Sequence, residues 1–293
     1  MTRMAGPLID EALLAELRLV RLLVRASLAR TGEGRAPGRG GGRFEFRGHR
    51  RYGPGDDLRS LDWPAYARTG RLFVREFDAE HDFDAHLLLD GTASLSVLGK
   101  HEAALRLLAA VGTAALVSGA RVTVGSVGEG GARLGAPVEG EGRWRAMLGA
   151  VEALPAPEGR GLARGLEDFA ARVHGRSLVV LVSDLLDEEA AARPLRALAE
   201  RGADVVVLHL LAAEEEAPRV RGPVRLRDVE TGETLERDAD EGGAAAVLEA
   251  AARFRERWTR TLEPHGARVV PVRAEAPLRR ALLPALRAAR LVR

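Results

Sequence analysis

His86-Leu87-Leu88-Leu89-Asp90-Gly91-Thr92-Ala93-Ser94 is a short apolar run that ends in a carboxylate, with two hydroxyls at alternate positions beyond it. Leu178-Val179-Val180-Leu181-Val182-Ser183-Asp184 ends the same way. Continuous Leu and Val runs of this length read as strands buried on both faces, as in a parallel sheet. A polar residue closing such a strand stands at the carboxyl edge of the sheet, where open α/β folds place their ligand sites. The two runs thus predict a fold class and a place within it for a site.

Working outward from them, the chain alternates strand and helix patterns from residue 84 onward. Strands are predicted near 84–90, 121–127, 177–183, 204–210 and 268–272, and helices near 99–117, 142–153, 161–173, 187–201, 243–263 and 277–290. Such alternation implies right-handed crossovers and a doubly wound, mostly parallel α/β sheet. Residues 213–240 interrupt it. There Val224 to Arg227 and Thr234 to Arg237 flank Glu230-Thr231-Gly232-Glu233, the pattern of a surface hairpin, and the acidic run Glu214 to Glu216 before it reads as a solvated turn.

Ahead of the sheet, residues 8–29 carry Leu13, Leu14, Leu17, Val20, Val24 and Leu28 at helical spacing. Residues 31–42 are too rich in Gly to pack and read as a loop, with no Gly-Lys-Ser/Thr to make it a nucleotide cradle. Phe44 and Phe46 alternate with charged residues, and 71–77 has the same strand character. The resulting division is an extension over 1–80, comprising helix, Gly-rich loop and a Tyr52–Trp63 motif, and an α/β domain over 81–293 with a hairpin insertion near 213–240.

Composition narrows the function. A net charge of +2 provides no strong field for nucleic acid or an anionic membrane. All but one of the 44 basic residues are arginine, the exception being Lys100. The absence of cysteine excludes disulfides and thiolate chemistry and fits a cytoplasmic protein. Asn and Gln are also absent, which suits either a hot environment or a codon bias. No apolar run approaches the ~20 residues of a membrane span, and no leader pattern opens the chain.

Within the extension, Asp56, Asp57 and Asp62 lie among Arg59, Arg68 and Arg71, with Tyr52, Trp63 and Tyr66 interleaved. Forked Arg–carboxylate pairs packed on aromatic rings make a rigid platform, serving either to fix the segment internally or to meet a partner. At the sheet edge, Asp90, Thr92 and Ser94 turn three oxygens toward one point, with Asp184 joining them if the two strands are neighbours. Hard cations such as Mg²⁺ take oxygen clusters of this kind.

Two signatures carry a resemblance. Tyr52-Gly-Pro-Gly-Asp56-Asp57-Leu-Arg59-Ser-Leu-Asp62-Trp63 with Ala67-Arg68-Thr-Gly-Arg71 is the first, and Asp90-Gly-Thr92-Ala-Ser94 with Ser183-Asp184-Leu-Leu-Asp187 is the second. On these the chain resembles the bacterial domain-of-unknown-function family 58 (DUF58), whose core is similar to a von Willebrand factor A domain. The resemblance implies a Rossmann-like sheet and a role in macromolecular assembly beside MoxR-type AAA+ ATPases, as an adaptor or chaperone-like partner. It also implies a metal-ion-dependent adhesion site, with Asp90, Thr92, Ser94 and Asp184 as ligands. The further Thr of that pattern belongs within Gly159–Leu162, where Arg160 stands instead. Two carboxylates ~4 Å apart repel by roughly 4 kcal/mol at an effective dielectric of ~20. A positive companion is therefore expected: Mg²⁺, a proton, or the Arg160 guanidinium with no metal.

Three functions are weighed. A non-catalytic protein-interaction module, cytoplasmic and not an enzyme, fits a ligand site that lacks a catalytic set. A Mg²⁺-dependent hydrolase or nuclease would use Asp90, Asp184, Asp187 and Glu188. Nucleic-acid binding would use Arg35, Arg39, Arg43, Arg47, Arg50 and Arg51, though without the interleaved stacking aromatics of such surfaces. The first is the expectation, with a MoxR-type ATPase as partner and no nucleic acid.

Overall fold

The computed structural model describes residues 7–20, 22, 44–51, 53, 62–79, 83–175, 177–186, 189–216, 222–239 and 241–292. The chain separates into two compact units, one within Arg35–His81 and the other formed by Met1–Gly34 with Asp82–Arg293. The N-terminal helix thus belongs with the sheet rather than with the segment that follows it. Helix α1 (Glu11–Leu17) ends inside the predicted span 8–29, of which residue 21 and residues 23–29 fall outside the described residues. Asp10 caps it, its side chain accepting the Leu13 N–H at 2.7 Å. Leu13 and Leu17 enter the main core, which explains their spacing.

The smaller unit is a hairpin of β1 (Phe44–Arg51) and β2 (Phe73–Ala79), antiparallel, with an irregularity between Phe46 and Gly48. Between the strands lies α2 (Trp63–Thr69), capped by the Asp62 carboxylate on the Ala65 N–H at 2.8 Å and closed by Gly70 at φ 65°. That left-handed stop is the conformation glycine adopts most readily.

In the larger unit, β3 (Phe83–Asp90) leads into α3 (Lys100–Val117), then β4 (Ala120–Gly128) and the short strands β5 (Gly131–Leu134) and β6 (Val138–Glu139). Helices α4 (Trp144–Glu152) and α5 (Leu162–Arg172) precede β7 (Ser177–Ser183), followed by α6 (Ala192–Glu200) and β8 (Asp204–Leu211). The single turn α7 (Ala213–Glu216) opens the insertion, whose hairpin is β9 (Gly222–Arg227) and β10 (Thr234–Ala239). The chain closes with α8 (Glu241–Leu262), β11 (Arg268–Arg273) and α9 (Leu278–Ala288).

The sheet runs β11-β8-β7-β3-β4-β5, with β6 also paired to β4. The pairs from β11 to β4 are parallel, and β5 and β6 are antiparallel additions at one edge. From β3 the chain first moves to β4 on one side and then crosses back to β7 on the other. The connections leaving the carboxyl ends of β3 and β7 therefore diverge, the place where open α/β sheets form their ligand crevice. Pro271 is tolerated because β11 is an edge strand and needs no ladder donor on its outer side.

Two cores cover the two faces of the sheet. Leu87, Leu89, Val180, Val182, Val206 and Leu208 face one way and pack with α1, α3, α4 and α9. Leu88, Val179, Leu181, Val205 and Val207 face the other and pack with α5, α6 and the end of α8. This alternation at period two within the apolar stretches of these strands is what burial on both faces requires. Helix α3 is buried nearly all round, so it reads as hydrophobic on every side rather than as amphipathic. Helix α5 approaches the β4–β5 turn closely. A Cβ on Gly165 would stand 2.2 Å from the Gly128 nitrogen, so only glycine fits there.

Candidate functional site

β3 and β7 are adjacent and in register, Leu89 opposite Val182, so their ends bring Asp90 and Asp184 to the same rim of the sheet. Both are buried, as are Thr92, Ser94 and Ser183. The loop after β3 folds back on itself: the Thr92 N–H donates to Asp90 Oδ1 at 2.9 Å, and the Thr92 and Ser94 hydroxyls meet at 3.0 Å. Ser94 Oγ donates to Asp184 Oδ1 at 3.1 Å, which links the two strand ends. Ser183 Oγ donates to Asp90 Oδ2 at 2.5 Å and accepts the Leu185 N–H at 2.8 Å. The predicted oxygen cluster is therefore assembled from residues Asp90, Thr92, Ser94 and Asp184, with Ser183 added.

The positive companion is Lys100. Its Nζ lies 2.6 Å from Asp184 Oδ2 and 2.6 Å from Glu215 Oε1. Lys100 is wholly buried and Asp184 is 2% exposed, whereas Glu215 on α7 is 31% exposed. Lys100 is the first residue of α3, where a cation opposes the helix dipole, so the two carboxylates offset an otherwise unfavourable placement. Leu98 and Leu185, close to Lys100 and Asp184 in the chain, hold φ of 55°. Each such left-handed residue costs roughly 1–2 kcal/mol, and strain of this kind gathers where a site is held in shape.

Arg160 does not fill the role the sequence suggests for it. Its loop docks on the Asp90 loop through backbone alone, Glu158 N–H to Gly91 O at 2.8 Å and Ala93 N–H to Gly159 O at 3.0 Å. The exposed guanidinium turns away and donates from Nε to the Glu230 carbonyl at 2.9 Å. The place beside Asp184 is already occupied by the ammonium. The acidic run also departs from its reading as a solvated turn, because Glu215 turns inward to Lys100 and its Oε2 accepts the Ala212 N–H at 2.9 Å.

Burial pushes the Asp90 carboxyl up to about 7, with the Asp184 charge adding to the shift and the bonds from Ser183 and Thr92 limiting it. Burial alone would lower the Lys100 ammonium, but the Asp184 and Glu215 carboxylates outweigh it and hold the group above its ordinary value. His209, on β8 beside β7, is brought down to about 4 by burial. Its neutral ring donates Nε2–H to the Asp184 carbonyl at 3.0 Å, fixing the turn from behind.

This donor set suits a resident Mg²⁺ poorly. All four oxygens of Asp90 and Asp184 already accept protein hydrogen bonds. A dication on Asp184 would also face the Lys100 ammonium, a repulsion of about 8 kcal/mol at ~4 Å and an effective dielectric of ~20, twice that of two unit charges.

Other predicted residues lie elsewhere. Tyr52, Asp56, Asp57 and Arg59, and likewise Asp187, Glu188, Arg35, Arg39 and Arg43, fall outside the described residues. Asp62 is the cap of α2, and Arg68 lies exposed in its last turn. Trp63 and Tyr66 of that helix meet edge to face at 6.2 Å and are both exposed. Arg47, Arg50 and Arg51 fall on β1. Lys100, Glu215 and His209 carry no site motif in the sequence. The signal for Lys100 was compositional, a lone lysine in a chain that otherwise uses arginine throughout.

The fold and site define a doubly wound α/β protein whose sheet carries a buried hydroxyl–carboxylate–ammonium cluster at its carboxyl edge. The chain belongs to the family described as "Protein of unknown function DUF58", which matches residues 48–259. Uncharacterized proteins of Mycobacterium bovis and Mycobacterium tuberculosis are each 32% identical to it over 282 residues, covering 92% of this chain and 87% of theirs. Among solved structures it is similar to the conserved hypothetical protein BatB from Bacteroides thetaiotaomicron, with a TM-score of 0.44 and 18% identity, covering 65% of this chain and 90% of that one. It is also similar to an aerotolerance-related membrane protein from Bacteroides fragilis, with a TM-score of 0.42 and 15% identity, covering 71% and 98%. Among the described residues, no helix is long and apolar enough to cross a membrane.

Proposed function

We propose that this protein is a non-catalytic interaction module of the von Willebrand factor A type. Its docking point is the sheet edge between β3 and β7, and its partner is a MoxR-type AAA+ ATPase in the cytoplasm. The observation that carries this reading is the cluster around Lys100 and Asp184. It is a preorganised set of charges at the crevice of the sheet, its hydroxyls Thr92, Ser94 and Ser183 buried out of reach of a substrate and engaged in positioning carboxylates. Such a set can meet a charged group on its Glu215 side, the one 31% exposed, and has no accessible nucleophile to attack one. In this reading Lys100 supplies the positive charge that a metal supplies in other adhesion sites, so no cofactor is required.

The test is a titration of the protein into a MoxR-type ATPase from the same organism, by calorimetry, in magnesium and again in EDTA with the nucleotide-free ATPase. A saturable complex of similar affinity in both conditions is expected. No complex in either would overturn the partner assignment. Hydrolysis of a phosphodiester such as bis-p-nitrophenyl phosphate, lost on Asp184→Ala, would overturn the non-catalytic reading.

A further inference from the structure

Lys100 has two carboxylate neighbours of different character. Asp184 is interior and locked by Ser94 and by the turn after β7. Glu215 is the solvent-facing neighbour, carried on a helix of four residues. One isolated turn has no stability of its own in water. This one is held by the Glu215 side chain itself, on Lys100 and on the Ala212 N–H, and by the Glu275 carboxylate, which accepts the Ala213 N–H at 2.8 Å. If α7 swings out, the ammonium keeps its interior partner and loses its exterior one. What remains is a desolvated cation facing a space shaped by a carboxylate.

A groove of about 290 Å³ runs past the start of α3 and the Glu275 anchor of α7. Leu98 and Gly99, the two residues before Lys100, line it, as do Arg106, Arg273, Glu275 and Leu278. Arg106 pairs with Glu102 through one terminal nitrogen, yet its buried Nε has no acceptor among the described residues. The groove therefore combines apolar walls, two arginines, two glutamates (Glu102 and Glu275) and, through Glu275, the anchor of α7.

We infer that Glu215 is an internal occupant of the Lys100 site, which an acidic side chain of a partner peptide lying in this groove displaces. The inference rests on the reading of the sheet edge as the docking point and adds its ligand class and its regulation. Exchange of one carboxylate for another leaves the charge count around Lys100 unchanged, so the latch costs the partner affinity without forbidding entry. Acidic partners without groove contacts are then rejected, because Glu215 is tethered and holds the site at high effective concentration.

Lys100 is the chain's single lysine, so [15Nζ]lysine labelling places one side-chain ammonium resonance inside the site. The probe is a fluorescently labelled hexaglutamate peptide, with hexaglutamine as control, followed by anisotropy and by that resonance. Glu215→Gln keeps the size of the side chain and its bond to the Ala212 N–H but removes the charge. It is expected to bind hexaglutamate about tenfold more tightly than the wild type, the factor for a site its own occupant fills about nine-tenths of the time. The Lys100 resonance should shift on binding, and hexaglutamine should bind neither protein. Glu215→Asp, which falls one methylene short of Lys100, is expected to give a smaller gain and serves if the Gln variant does not fold. Equal affinity in wild type and variants, with the Lys100 resonance moving in each, would sink the latch and leave the docking point standing. A Lys100 resonance indifferent to the peptide in every protein would remove both.

Discussion

The Lys100 ammonium and the Asp184 carboxylate meet at 2.6 Å, at 0% and 2% exposure, across 84 residues of chain. A pair this far from water contributes little net stability compared with an apolar pair of the same shape, but half of it is costly to leave behind. Lys100→Met strands Asp184 and Glu215, and we expect a loss of about 3–5 kcal/mol of unfolding free energy in urea titrations. Lys100→Arg should not restore it, because a planar, longer guanidinium does not fit a site shaped around an ammonium 2.6 Å from each of two carboxylates. Adding Asp184→Asn to Lys100→Met should recover part of the loss. A double variant no better than the single one would show that the two residues do not act as a pair.

Asp90 and His209 pull the pH dependence in opposite directions. The Asp90 carboxyl is raised from 3.8 to about 7, so its contribution is full below 3.8 and is lost as pH rises through about 7. His209 is lowered from 6.5 to about 4, so its contribution is full above 6.5 and is lost as pH falls through about 4. Between about 4 and 6.5 the two slopes oppose each other, with His86 and His101, both lowered by burial, adding to the histidine side. Asp90→Asn imitates the protonated carboxyl and should leave a melting temperature that rises with pH over 4–6.5. His209→Gln should weaken that rise and expose the fall toward pH 7. Identical pH profiles for wild type and both variants would contradict these shifts.

Gly165 and Gly112 look alike in the sequence and differ in what surrounds them. A Cβ at Gly165 meets backbone of the β4–β5 turn at 2.2 Å and 2.8 Å, whereas one at Gly112 meets the Met147 and Leu87 side chains at 2.6 Å and 2.8 Å. Backbone cannot step aside and a methionine can. We expect Gly165→Ala to cost more than Gly112→Ala, with overpacking penalties of about 1–3 kcal/mol as the scale. The comparison is made from paired chemical-denaturation midpoints, and the reverse order would sink it.

If, as proposed, Lys100 serves as the resident cation, magnesium adds no stability. Melting temperatures in EDTA and in millimolar MgCl₂ should agree within error, since a ligand that binds only the native state would raise the latter. A concentration-dependent rise that vanishes in Asp184→Asn would instead place a metal on the cluster.

Much of this protein is determined by the sequence alone. The all-apolar runs before Asp90 and Ser183-Asp184 fix two interior strands, because only a strand covered on both faces has use for apolar residues at every position. Their polar ends fix the rim at which a site can form. Helix spans read from apolar spacing agree with the structure to within a few residues, from Lys100–Val117 to Leu278–Ala288. The N-terminal helix ends at Leu17, though Leu8 and Leu22 on either side of it also reach the core. What the sequence could not decide is which charge answers which. Arg160 stands near the Asp90 loop in the chain's logic, and the Glu214 to Glu216 run has the composition of a solvent turn. Yet the crevice is closed by the ammonium at the start of α3 and by one glutamate turned inward from α7. Strand burial is a property of local pattern, repeated residue by residue, and so it is written in the sequence. The pairing of Lys100 with Asp184 and Glu215 depends on where three separate connections leave a twisted sheet, and only the folded chain sets those distances.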